Sequence, residues 1–321
     1  MRVFVTGATG FIGSATVSEL LGAGHQVLGL ARSPQAADAL RAAGADVHRG
    51  ALDDLTALRG GAREADGVIH LAFTNISATT DFAESCRVDR EAVTALGEAL
   101  EGSGRPLVVT SGLLLEPGRV GTENDAPADN PFARLRGASE AVTLAFADRG
   151  VRAIVLRLAA SVHSENDRGF VPHLIALARA NGYAAYPGDG SMRWTAVHRR
   201  DAARLYRLAV ESAPAGTRLH GVGESAVSLR TIAEAIAREL GADAVSVPID
   251  QVPEYFGWLS HFVTRDVPAA SDLTRKLLGW TPEHRGLIED LEQGDYFGRT
   301  EPEVFRPVRH AMALRHADIT C

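Results

Sequence analysis

"VFVTGATGFIGSATVSELL", residues 3–21, is the stretch on which the fold turns. A short β-branched run ends at Thr6, glycines follow, and an amphipathic stretch starts at Phe11. Gly7 permits a tight turn, Gly10 lets a pyrophosphate approach the backbone, and Gly13 lets a helix pack closely on a strand. The trio stands between a strand and a helix with a further strand–helix unit behind it. That placement predicts dinucleotide binding, with Thr9, Phe11 and Ile12 beside the phosphates.

Outward from this loop the same alternation continues. "HQVLGLARS", "PQAADALRAAG", "ADVHRGAL", "LTALRGGARE" and "ADGVIHLAF" carry it to residue 73, and "RPLVVTSG" and "VRAIVLRLAASV" add further strands. Such a pattern implies βαβ units: an α/β, Rossmann-type doubly wound parallel sheet, with helices on both faces. Residues 1–165 are expected to form the dinucleotide-binding domain, with 192–212 returning to it. Residues 166–191 and 213–321 are expected to form a smaller substrate lobe, ending in an aperiodic tail, "TEPEVFRPVRHAMALRHADITC".

The second strand ends at Ala31, Arg32 and Ser33, where an acidic residue would hydrogen-bond the ribose hydroxyls of NAD. Arg32 can instead pair with a 2′-phosphate, which favours NADP. The alternative is a solvated surface arginine.

Lys and Arg total 33 against 40 Asp and Glu, a formal net charge of -7, so no basic field points to nucleic acid or to an anionic membrane. A small molecule is the expected partner. Cys86 and Cys321 form neither a CxxC pair nor a zinc spacing, so no metal and no disulfide framework are expected. The glycine loop begins too early for a secretory leader, and the expected location is the cytoplasm. Lys276 is the only lysine, and the residue four places before it is Asp272, so no Tyr-x-x-x-Lys motif exists in the chain.

"TGATGFIGS" at 6–14, "VIHLA" at 68–72, "VVTSG" at 108–112, "AVHRRDAA" at 196–203 and "LGWTP" at 278–282 resemble the short-chain dehydrogenase/reductase superfamily, in its extended and atypical branches of epimerase/dehydratase type. The resemblance implies a cofactor lobe, a substrate lobe and an active site between them. It places Leu71 and Ala72 near the ribose and Leu52 against adenine, and it aligns Gly112 with the catalytic serine or threonine, with Thr110, expected on the cofactor side, and Ser111 immediately adjacent. It also implies dimerisation through the helices at 89–101 and 136–148, whose apolar content permits a homodimer.

In "RLRGASEAV", 134–142, the family's catalytic tyrosine and lysine are replaced by Arg136 and Glu140, and Asp89 stands for an asparagine. Arginine cannot donate a proton at neutral pH, so the usual proton transfer is excluded. Asp89, Arg136 and Glu140 are expected to form one rebuilt charged network; the alternative is an ordinary i,i+4 surface pair of Arg136 with Glu140. Ser111 and His163 complete the catalytic candidates, with a hydrogen-bonded loop histidine as the other reading of His163. Asp272 and Trp280 are expected to anchor the second lobe, as are His198 and Asp201. Trp194 stands where nucleotide-sugar relatives carry an arginine that grips phosphate, with Arg193 displaced by one, which favours an apolar or aromatic substrate.

These features predict an NADP-dependent oxidoreductase acting on a small, fairly apolar carbonyl, quinone or imine. A non-redox isomerase or dehydratase, and a catalytically silent NADP-binding regulator, are the alternatives.

Overall fold

The computed structural model describes residues 1–74, 79 and 81–298. The tail from residue 300, Cys321 included, lies outside the described residues.

In the first half, strands β1 (Arg2–Thr6), β2 (Gln26–Ala31), β3 (Asp46–Arg49), β4 (Gly67–His70), β5 (Pro106–Gly112) and β6 (Arg152–Leu158) alternate with helices α1 (Phe11–Gly22), α2 (Pro34–Ala42), α3 (Leu55–Arg63), α4 (Phe82–Leu100) and α5 (Pro131–Ala145). The second half contains β7 (Ser161–His163), α6 (Phe170–Asn181), β8 (Tyr183–Pro187), β9 (Arg193–His198), α7 (Arg199–Ser212) and β10 (Thr217–Gly221). It ends with β11 (Glu224–Ser228), α8 (Leu229–Leu240), β12 (Asp243–Val247), α9 (Val252–Phe256), α10 (Ser260–Val263), α11 (Asp272–Leu278) and α12 (Leu287–Gln293).

The main sheet has seven strands in the order β10-β6-β5-β4-β1-β2-β3, and every pairing in it is parallel. Alternation along β1 shows how both faces are covered. Val3 and Val5 face a core shared with Val17 and Leu20 of α1 and Tyr206 of α7, while Phe4 faces Leu58 of α3 and Leu96 of α4. The order reverses between β1 and β4, so the loop after β1 opens at the switch point, the crevice where doubly wound sheets bind ligands.

The second lobe carries a three-stranded sheet, β11-β9-β7, and the parallel pair β12-β8. Trp194, Ile232, Ile236, Phe256 and Leu259 are buried in its own core. The expected domain limits need two corrections. Thr217–Gly221, expected in the second lobe, is strand β10 at the edge of the main sheet, hydrogen-bonded to β6. Within 192–212 only α7 covers the main sheet, because β9 pairs with β7 and β11 instead.

Candidate cofactor and substrate site

The loop after β1 is shaped for close backbone approach. Gly7 has φ +66°, and a Cβ there would lie 2.8 Å from Ala72 N and 2.9 Å from the Leu71 carbonyl carbon. At Gly13 a Cβ would lie 2.0 Å from Gly7 O, so any side chain would push α1 off the strand. Gly10 is exposed and donates its N–H to Gly7 O at 2.9 Å. It gives α1 no side-chain cap, and no acid occupies the first turn. The first N–H groups of α1 therefore face an open site at the positive end of the helix dipole. Thr9 is exposed beside it, and Phe11 and Ile12 are half-buried.

Around this cradle, Leu71 N donates to Thr6 O and Ala72 N to Thr6 Oγ1 at 3.2 Å, which fixes the segment after β4 as a floor. Arg32 is exposed at the end of β2 and makes no hydrogen bond or ion pair among the described residues. Ser33 caps α2, its Oγ accepting from Ala36 N at 3.2 Å. Leu52 is half-buried against the core under α3 and α4.

At the sheet's C-terminal edge a chain of polar groups runs inward. The Ala72 amide donates to Thr6 Oγ1, and the Thr6 hydroxyl is hydrogen-bonded to His70 Nδ1, 2.8 Å away. His70 Nε2 then carries the proton toward Asp89 Oδ1 at 3.3 Å. Arg136 Nη1 donates to Asp89 Oδ2 at 2.7 Å, and its Nη2 to Thr110 O at 2.7 Å. The Thr110 hydroxyl lies on the opposite face, 2.8 Å from His70 O and 2.7 Å from Tyr206 Oη. Asp89 is wholly buried. Burial alone would raise its carboxyl pKa, but the positive charge of Arg136, with the His70 hydrogen bond, outweighs it and holds the group below the usual carboxylate range. The Arg136 guanidinium lies 4.3 Å above the Phe73 ring.

Glu140 does not join this chain. One helical turn beyond Arg136, it accepts from Arg157 Nε at 3.0 Å, Arg157 Nη2 at 2.5 Å and Arg218 Nε at 2.7 Å. The expected three-member network is thus two separate ones: Asp89 with Arg136 at the end of β5, and Glu140 with Arg157 and Arg218 under α5. The surface-pair alternative fails as well, because both Arg136 and Glu140 are buried. Ser111, beside Arg157 in strand register, has a buried Oγ with no partner among the described residues.

His163 belongs elsewhere. Its Nδ1 lies 2.9 Å from Asp290 Oδ2, its ring meets that of His198 edge-on, and it lines a cavity of about 200 Å³ with His198, His284 and Glu224. The structure gives it no contact with Asp89 or Arg136, which supports the bonded-histidine reading. His198, Asp201 and His284 bring ligand-type atoms within 4.8 Å of one another. Several of their polar atoms hold the local fold: His198 Nδ1 accepts from Arg200 N, and Asp201 accepts from Glu283 N, His284 N and His284 Nδ1. Asp201 thereby anchors the loop after Trp280, whose Nε1 donates to Asp201 O. Asp272, expected to share that role, is exposed and unbonded among the described residues.

The groups missed by sequence reading are Thr6, His70, Arg157 and a row of aromatic rings. Phe73 and Phe82 meet at 6.3 Å, Phe82 stacks on Phe132 at 4.7 Å, and Phe132 meets Phe262 at 5.7 Å. Phe262 continues to Phe170 at 4.8 Å, and Phe170 to Trp194 at 5.4 Å. The row therefore links the cofactor domain to the second lobe, beginning under Arg136. Arg193 is held by Asp266 through bonds of 2.8 and 2.7 Å, so it is not free to grip a phosphate.

Residues 3–220 match the model of the NAD dependent epimerase/dehydratase family. The uncharacterized protein YLL056C of Saccharomyces cerevisiae is 45% identical over 91% of this chain and 98% of its own. A 3-diazoavenalumate denitrifying reductase from a Streptomyces species is 29% identical over 91% of this chain and 99% of its own. Among solved structures, MoeE5 in complex with UDP-glucuronic acid and NAD superposes with a TM-score of 0.72 at 27% identity, covering 92% of this chain and 97% of that one.

Proposed function

Because the chain belongs to the NAD-dependent epimerase/dehydratase family, within the extended short-chain dehydrogenase/reductase superfamily, we propose that it is an NADP-dependent reductase of a small, flat, apolar carbonyl, quinone or imine. The observation that carries this reading is Arg136, buried against Phe73 at the head of the aromatic row, at the position to which the family resemblance assigns the proton donor.

The glycine cradle suits a dinucleotide, since Gly7 and Gly13 leave no room for a Cβ and α1 begins uncapped. Gly7, Thr9, Gly10, Phe11, Ile12 and Gly13 would hold the diphosphate, Arg32 and Ser33 the 2′-phosphate, Leu52 the adenine, and Leu71, Ala72 and Thr110 the ribose side. When bound there, the nicotinamide supplies a hydride.

Arg136 acts as a fixed positive charge, locked in place by Asp89 and Thr110 O. A charge held in a poorly hydrated site stabilises negative charge as it develops on the substrate without reorganising. This favours substrates whose hydride adduct is already a stabilised anion, such as a quinone, whose reduced oxygen later takes its proton from water. Ser111 Oγ, on β5 next to Thr110, is a buried hydroxyl without a partner of its own among the described residues. The aromatic row favours a planar ring as the substrate body, and the engagement of Arg193 with Asp266 disfavours a sugar nucleotide. The similarity to a denitrifying reductase supports net reduction.

The test is a screen of quinones and conjugated aromatic ketones with NADPH, read as loss of nicotinamide absorbance against product formed. Stoichiometric loss supports the proposal. Turnover without loss would establish an isomerase or dehydratase instead, and tight NADPH binding without any turnover would establish a regulator.

A further inference from the structure

Arg199 opens α7 and lays its guanidinium on the first residue of α1, with Cζ 4.8 Å from the Phe11 ring centroid. The two helices run side by side in the same direction, since Arg207 further along α7 meets Glu19 further along α1 at 2.7 Å. Their N-terminal ends therefore sit together at the C-terminal edge of the sheet. These ends differ. His198 caps α7 through its Nδ1, whereas α1 has no side-chain cap.

Arg199 is half-buried, unlike its exposed neighbour Arg200, and lacks the partner that other nearby arginines have. Arg193, Arg204, Arg207 and Arg218 are each in an ion pair. Among the described residues Arg199 has neither an ion pair nor a hydrogen bond, and its Nε is buried without an acceptor. Burial, and then the like charge of Arg200, work against its positive form, and Glu165 and Asp167 offset this only in part. A half-buried guanidinium presents a rigid fork of N–H donors, and that fork matches phosphate oxygens. The cation–π contact with Phe11 holds the fork beside the uncapped end of α1.

We infer that Arg199 is a phosphate clamp for the dinucleotide, closing from α7 onto the diphosphate that the N-terminus of α1 receives. This rests on the cofactor reading above and adds to it a contact from outside the glycine loop. The clamp makes cofactor retention depend on the junction between the second lobe, through β9, and the cofactor domain.

Calorimetric titration of the full chain tests it, with NADPH and with adenosine 2′-monophosphate, which carries the 2′-phosphate but no diphosphate. Arg199→Met keeps an unbranched side chain over Phe11 and removes the fork. The expected result is NADPH binding weakened at least about tenfold, as for loss of a charged hydrogen bond, with adenosine 2′-monophosphate bound as before. Arg32→Ala is the converse control and weakens both. If Arg199→Met binds NADPH like the parent chain, or loses both ligands equally, the clamp is overturned while the cofactor reading stands. If the parent chain binds no dinucleotide, both fall. Should the methionine variant not fold, Arg199→Lys, which keeps the charge but not the fork, carries the same comparison.

Discussion

A lysine at Glu140, the position to which the resemblance assigns the family's catalytic lysine, should break this protein rather than repair it. Glu140 is 2% exposed and accepts three hydrogen bonds, two from Arg157, which is fully buried, and one from Arg218. Removing one partner of a buried ion pair costs about 3–5 kcal/mol, because the other charge stays behind without compensation. The Arg157 bonds carry most of that, since the Arg218 side chain is 31% exposed and partly screened. Glu140→Lys goes further and sets a third cation against two arginines, so the expected loss exceeds about 5 kcal/mol. For a chain of this size, about 2–4 °C of melting temperature accompanies each kcal/mol, so a drop of 10 °C or more is expected. That is a large share of the roughly 5–15 kcal/mol by which native proteins are stable. Differential scanning calorimetry of Glu140→Lys, of Glu140→Gln, and of the swap Glu140→Lys with Arg157→Glu gives the answer. Glutamine should cost less than lysine, and the swap should recover part of the loss by restoring opposite charges. A lysine variant melting within about 3 °C of the parent would refute the reasoning, because it would mean that the buried pair contributes nothing.

Three further outcomes follow from the same geometry. Gly13→Ala should abolish NADPH binding and lower the melting temperature, since its Cβ would sit 2.0 Å from Gly7 O, a backbone atom with nowhere to go; unchanged binding by calorimetry would contradict the cradle. Arg32→Ala should weaken NADPH by at least about 1.4 kcal/mol, a factor of ten, and leave NADH alone; equal loss of both would assign Arg32 to the fold instead. His198 is held down to about 4, by burial first and then by the neighbouring His163 and His284. An unfolded histidine titrates near 6.5, so between these values the unfolded chain binds more protons and stability falls as pH drops from about 6.5 to 4. His198→Asn, which keeps an acceptor for the α7 cap, should flatten that limb in melting curves recorded across the window, and an unchanged slope would remove His198 as its source.

Which parts of this molecule are legible in its sequence depends on the distance over which each part is assembled. The glycine loop is legible because its turn, its close contact with the end of β4 and its open helix end are dictated by the main chain within a few residues of Gly7. The partner of Arg136 is not, since Asp89 lies 47 positions away, and the i,i+4 rule points instead to Glu140, which the helix carries one turn deeper, to β6 and β10. A signal for that second pair existed. Arg157 interrupts the apolar run "AIVLRLAA", and a charge inside a buried strand requires a buried acid. Glu140, on a helix that also buries Ala133, Gly137 and Thr143, is the acid that answers it. His70 within "VIHLA" poses the same demand and is met by Asp89. The aromatic row left no such mark, because Phe73, Phe82, Phe132, Phe170, Trp194 and Phe262 come from separate segments and each alone looks like ordinary core. On the proposed reading the same asymmetry divides cofactor from substrate: the core of the dinucleotide site is backbone that a short motif encodes, while the substrate would meet side chains gathered from the whole chain. Replacing Arg136 should therefore change which substrates are reduced without weakening cofactor binding, whereas Gly13→Ala should remove cofactor binding and with it the reduction of every substrate.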